Sequence, residues 1–174
     1  IAEKKKIESK NKTGSKKPIY ILGISAFYHD SAATLIKDGK IIASAQEERF
    51  SRIKNDRRFP ASAINFCLER ASIQQTDLKA IVYYDNTSLT LERTLWSFLN
   101  TSPNSIKGWL KSMPAWVKYK FFIPQLIRSK LNYNGKIFQN LHHRSHAASA
   151  FFPSPFKRSA ILTIDGVGEW ATAS

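Results

Sequence analysis

Ile19-Tyr20-Ile21-Leu22-Gly23-Ile24-Ser25-Ala26-Phe27-Tyr28-His29-Asp30-Ser31-Ala32-Ala33-Thr34-Leu35-Ile36-Lys37-Asp38-Gly39-Lys40-Ile41-Ile42-Ala43-Ser44-Ala45-Gln46 decides the fold class. Ile19 to Ala26 is an apolar run of strand length, with the branched residues that suit a pleated surface. Phe27 to Asp30 interrupts it as a polar-aromatic turn. Ser31 to Lys37 is a second strand. Asp38-Gly39 is the dipeptide of a two-residue hairpin, because both positions must reach positive φ. Lys40 to Gln46 is the third strand. The stretch therefore predicts a three-strand meander.

Helical patterns follow, so the class is α/β. Glu47 to Arg58 is densely charged. A helix begins near Pro60 or Ala61, with Ala63, Ile64, Cys67, Leu68 and Ala71 on one face. Ala80 to Tyr84 reads as a strand and Leu89 to Leu99 as a helix. Ser105 to Lys111 and Ala115 to Leu131 read as helices parted by Pro114, with Pro124 kinking or splitting the second. Lys136 to Gln139 is a further strand. His143 to Phe152 is a helix stopped by Pro153-Ser154-Pro155, and Ser159 to Asp165 is the next strand.

Strand, polar turn and small-residue strand recur. Tyr20–Ile24 leads to Ser31–Thr34, and Ala160–Ile164 leads to Trp170–Ala173. Such a repeat predicts two like-folded lobes facing across a cleft, the second only begun. The expected organisation is a basic disordered tail over 1–17, a first lobe over 18–158, and the first strand and phosphate-type turn of a truncated second lobe over 159–174. A piece cut in this way is expected to be inactive alone.

Charge is uneven. The net charge is +14, and the tail holds seven Lys against two Glu. From Arg93 to Arg158 there are eleven Lys or Arg and no acid. That balance favours anionic ligands such as phosphates, or else makes a solvated basic face. The aromatics in this stretch fall at helical spacing, which favours core over nucleic-acid contact. One cysteine, Cys67, excludes an intrachain disulfide and suits a reducing cytoplasm. No apolar run reaches membrane-span length, and the lysine-rich start lacks the core of a secretory signal.

The chemistry-bearing words lie near the end. His142 and His146 are four apart, so one helical face carries both rings. Asp165 closes the apolar run Ala160–Ile164 and offers an oxygen ligand. Two imidazoles and a carboxylate leave positions open on zinc or iron. His143 points about 100° away on the same helix and would meet substrate, support a ligand, or be a plain surface imidazole. Gly166 and Gly168, in Asp165-Gly166-Val167-Gly168-Glu169, let backbone amides approach a phosphate, with Glu169 beside them; the same residues also suit a simple tight turn. His29 and Asp30 form a polar pair that orients substrate or merely ends a strand. Glu47-Glu48-Arg49 with Arg52 and Lys54 makes a charged cleft wall or a salt-bridged surface.

Four blocks together resemble a known family. They are Ile21 to Ala33; Gln46-Glu47-Glu48-Arg49-Phe50-Ser51-Arg52 with Arg58-Phe59-Pro60; His142 to Phe156; and Leu162 to Thr172. In this order they resemble the O-carbamoyltransferases of the nodulation-protein-U type, whose relatives carbamoylate antibiotics such as cephalosporins and aminoglycosides. The resemblance implies an actin/Hsp70/sugar-kinase-like ATPase lobe, close to the tRNA threonylcarbamoyl-transferring subunit. It implies a YrdC-type domain beyond these residues, where carbamoyl phosphate and ATP form carbamoyl-adenylate. It implies His142, His146 and Asp165 as ligands of a divalent metal, iron(II) ahead of zinc. It places His29 and Asp30 near the reacting centre, and a small-molecule hydroxyl as acceptor. Asn55 stands where relatives often carry His, and Thr87 where Pro is common. The rival readings are a tRNA threonylcarbamoyl-transferase-like subunit and a basic nucleic-acid-binding fragment without catalysis.

Overall fold

The computed structural model describes residues 2–3, 17–102, 122–166 and 169–174. The helix expected over Ser105–Lys111, the start of the one expected over Ala115–Leu131, and Gly168 lie outside these. Strand β1 (Ala2–Glu3) is followed by β2 (Tyr20–Ser25), β3 (Ala32–Lys37), β4 (Lys40–Gln46), α1 (Glu48–Ser51) and α2 (Ala61–Arg70). Then come a short 3₁₀ turn, β5 (Leu78–Tyr83), α3 (Thr87–Thr101), α4 (Ile123–Leu131), β6 (Lys136–Gln139), α5 (His142–Phe151) and β7 (Arg158–Ser159). The mixed α/β class is thus observed.

The predicted meander is present. β2–β3 and β3–β4 are antiparallel, while β5 and β6 run parallel to β2, giving the order β4-β3-β2-β5-β6. Asp38 and Gly39 both take positive φ, 48° and 82°, as a hairpin of this hand requires. The Asp38 carboxylate also accepts the Ile19 N–H at 3.0 Å, which pins the start of β2.

Alternation places the core. Tyr20, Leu22 and Ile24 of β2 and Ala33 and Leu35 of β3 are buried. Ala63, Ile64, Cys67 and Leu68 of α2 join them, as do Ile123 and Ile127 of α4. Tyr83 reaches across the sheet and its hydroxyl donates to Ala26 O at 2.7 Å.

The structure refines local expectations at three places. Pro124 lies in the first turn of α4, where its missing N–H has no helical partner to lose, so it starts this helix, in line with the splitting alternative and not the kink. α3 begins at Thr87, two residues early, because Asn86 Oδ1 accepts the N–H groups of Ser88 and Leu89 at 3.1 and 3.4 Å. The apolar run expected as a strand over Ser159–Asp165, opening a second lobe, has regular strand only at Ser159 and an isolated antiparallel bridge from Ile164 to Ala173. Arg158–Ser159 pairs with Ala2–Glu3, inside the tail expected to be disordered. Thr163 and Asp165 form a narrow hairpin with Ser174 and Thr172. Leu162 and Ile164 stay about three-quarters exposed, at 74% and 76%, because no described element stacks on that hairpin.

Topology then locates the site. β2, β5 and β6 are parallel, so their C-terminal ends share one sheet edge. The Phe27–Asp30 turn follows β2, Asp85 follows β5, and His142 follows β6. Ligands in parallel α/β sheets gather at this edge, where loops meet and strand amides run out of partners.

Candidate metal centre

α5 presents His142 and His146 from one face, as the four-residue spacing predicts. The hairpin delivers Asp165 to them. His142 Nε2 lies 2.6 Å from Asp165 Oδ2 and 3.1 Å from His146 Nε2, and His146 Nε2 lies 3.6 Å from the same carboxylate oxygen. The His142 side chain is 16% exposed, Asp165 27% and His146 54%, so the group sits near the surface rather than in the core.

These separations suit a shared cation. Ligand atoms about 2.0–2.2 Å from one metal stand about 3.0–3.5 Å from each other in octahedral or tetrahedral geometry. The two longer edges of the trio fall near that range. The shortest is a hydrogen bond, which a bound cation would open by several tenths of an ångström. One nitrogen donor facing another, with a carboxylate beside both, is also the donor set of a two-histidine, one-carboxylate site. His142, His146 and Asp165 are the group of this kind found among the described residues.

Two residues that sequence reasoning missed support the trio. Asp85, buried after β5, places Oδ1 4.0 Å from His142 Nδ1, on the side away from Asp165. At that distance the carboxylate makes a charge contact with the ring, longer than a hydrogen bond. The Tyr84 ring meets the His142 ring edge-on, with centroids 5.6 Å apart. Burial pushes the Tyr84 hydroxyl above the usual phenol range, and the carboxylates of Asp85 and Asp165 push the same way. An acid just beyond a predicted strand was the available signal for Asp85. Ser145 Oγ donates to Tyr84 O at 2.7 Å and locks α5 to the end of β5.

The other predicted residues are placed as follows. His29 Nδ1 bonds Asp30 Oδ2 at 2.7 Å, in an exposed turn on the same sheet edge. Main-chain bonds from Phe27 to Arg57 and from Ser31 to Asp56 brace that turn. His143 leaves the metal face, and its Nδ1 bonds Ser174 Oγ at 2.7 Å. No described atom lies within 4 Å of where a Cβ on Gly166 would stand, so the turn there is open.

Glu169, expected beside phosphate, is only 8% exposed and accepts the Asn86 N–H at 2.7 Å. Its carboxyl is pushed above the ordinary range, first by burial and further by Asp85, while the N–H groups of Asn86 and His142 oppose the rise. The carboxyl thus faces the start of α3 rather than open solvent. The reading of Glu47 is corrected. This residue is no cleft wall: its two oxygens accept the N–H groups of Ser62 and Ala63 at 3.2 and 2.9 Å and cap α2. Glu48 accepts the Asn55 N–H at 3.1 Å.

Among the described residues, no helix is long and apolar enough to cross a membrane. Residues 20–174 match the family described as carbamoyltransferase N-terminus. The chain is 46% identical over 163 residues to the uncharacterized protein sll1178 of Synechocystis sp., covering 89% of this chain and 26% of that protein. It is 38% identical over 152 residues to nodulation protein NolNO of Sinorhizobium fredii, covering 85% of this chain and 21% of that protein. It thus spans about a quarter of the length of these curated relatives. With the match running through nearly all of the chain, from the first strand of the meander onward, the protein belongs to the carbamoyltransferase N-terminal family, a family of transferase enzymes.

Proposed function

We propose that this chain is the metal-holding part of an O-carbamoyltransferase, which moves a carbamoyl group from carbamoyl-adenylate to the hydroxyl of a sugar, antibiotic or similar metabolite. The convergence of His142, His146 and Asp165 carries the reading. A meander leading into two parallel strands supports the actin/Hsp70/sugar-kinase-type lobe. Carbamoyl-adenylate would arise from carbamoyl phosphate and ATP in a YrdC-type domain of the whole protein.

His142, His146 and Asp165 would hold a divalent ion, with iron(II) preferred for this donor set and zinc as the alternative. Bound there, the ion supplies Lewis acidity to a carbamoyl carbonyl that its own nitrogen makes a poor electrophile. The chain's residues do the rest. Asp85 would favour the His142 ring orientation that turns Nε2 toward Asp165. With Nδ1–H donated to Asp30, His29 offers its Nε2 lone pair to the acceptor hydroxyl. The hydroxyl oxygen bonds the carbamoyl carbon, its proton passes to His29 Nε2, and the carbon–oxygen bond to the adenylate phosphate breaks. AMP departs with that electron pair. Main-chain amides at Gly166 and Gly168 are the proposed seat of its phosphate. His143, bonded to the end of the hairpin, is the weaker candidate for the base.

The test separates the half-reactions. In the whole protein, His142→Ala or His146→Ala abolishes transfer to the acceptor while carbamoyl-adenylate still forms from ATP and carbamoyl phosphate. Equal loss of both half-reactions refutes this division of labour.

A further inference from the structure

The geometry points to Glu169 as a positioning residue that holds Asp165 against the histidine pair. This rests on the metal reading of the trio above.

Asp165 and Glu169 belong to one hairpin, whose ladder joins Thr163 with Ser174 and Asp165 with Thr172. That hairpin lies outside the five-strand sheet, and its apolar side chains Leu162 and Ile164 are exposed. Packing alone therefore does little to place Asp165. Hydrogen bonds tie the hairpin to the lobe. His142–Asp165 belongs to the trio itself, and His143–Ser174 lies at the hairpin's far end. Glu169 supplies the buried tie. Its carboxyl accepts the Asn86 N–H at 2.7 Å, at the start of α3, and lies against the main-chain N–H of His142, the first residue of α5.

One side chain thus meets the turn that carries Asp85 and the helix start that carries His142. It satisfies the Asn86 N–H, which the start of α3 leaves open, and comes near the N–H of His142. Asp165 is four residues away on the same loop. The position of Asp165 relative to α5 follows from where Glu169 is anchored.

Two readouts on the chain test this, each for wild type, Glu169→Ala, Glu169→Asp, Glu169→Gln and Asp165→Ala. The first is the long-range ¹⁵N spectrum of His142 without metal, which reports the bond from Nε2 to Asp165. The second is Co²⁺ affinity, measured by chelator competition together with the visible absorption of bound Co²⁺. Glu169→Ala should erase the His142 signature as Asp165→Ala does, weaken Co²⁺ about 10–100-fold and shift its absorption. Glu169→Gln keeps an acceptor for Asn86 and should return affinity to within about threefold of wild type. Glu169→Asp falls one methylene short and should behave like Ala, which decides the matter if the Ala variant does not fold.

A wild-type His142 signature and Co²⁺ affinity in both Ala and Asp variants overturns the inference. So does failure of Gln to rescue. If wild type takes up no Co²⁺, the metal reading fails separately, and the His142 signature still decides the role of Glu169.

Discussion

Removing the Glu47 carboxylate should loosen α2 by an amount the geometry sets. Pro60, at the helix's N-cap, offers no side-chain acceptor, so the first turn depends on Glu47, fourteen positions before it in the chain. Both carboxylate oxygens are used, at 3.2 Å from Ser62 N and 2.9 Å from Ala63 N, and Glu47 itself is buried. Ala63 is wholly buried, so its orphaned N–H would cost about 1–3 kcal/mol. Ser62 is partly open, and water recovers much of its bond. Loss of the negative charge at the helix start adds about 0.3–1 kcal/mol. Glu47→Ala should therefore destabilise the chain by about 2–4 kcal/mol, a large part of an ordinary folding free energy. Glu47→Gln keeps one acceptor oxygen but turns its amide donor toward the other N–H, so about 1–2 kcal/mol is expected. Urea unfolding followed by far-UV circular dichroism measures both. A loss below about 0.5 kcal/mol for Ala, or equal losses for Ala and Gln, would refute the capping argument.

Further outcomes follow from the same structure. Gly135→Ala would drive a Cβ into the hydroxyl end of the buried Tyr133 ring, so it should cost about 1–3 kcal/mol. Its melting temperature should fall by about 2–4 °C per kcal/mol; an unchanged midpoint would mean that the ring moves freely. The Arg58 guanidinium, at 2.7 Å, holds the Asp56 carboxyl well below the usual range, helped by the hydroxyl of Ser51. A depressed folded pKa contributes stability above the unfolded value of about 3.9 and loses it as pH falls below that. Asp56→Asn should therefore flatten the acid limb of stability against pH, and an unchanged limb counts against the pair. Cys67 lies at 0% exposure and burial pushes its thiol up, so a thiol reagent should react only as fast as the chain opens. Rapid labelling under native conditions would contradict that burial.

The meander and its hairpin were legible in the order of residues, because strand alternation and the Asp38-Gly39 turn act over neighbours. α2 and β6 were legible for the same reason, and so was the pairing of His142 with His146, since helical spacing is a local rule. The charged run at Glu47–Arg58 was not. Whether an acid caps a helix or lines a cleft depends on what lies opposite it, and Ser62 and Ala63 are fifteen and sixteen positions away. Asp85 went unnoticed because only the parallel pairing of β5 with β6 sets it behind His142.

Local periodicity, turn chemistry and the two-histidine spacing belong to the chain as a string, since each concerns atoms a few bonds apart. Tertiary structure alone brought Asp165 to the histidines across about twenty residues, buried Glu169 at two helix starts, and left Leu162 and Ile164 in the open. Burial and long-range contact depend on which surfaces meet, and an apolar run carries no record of whether a neighbour covers it.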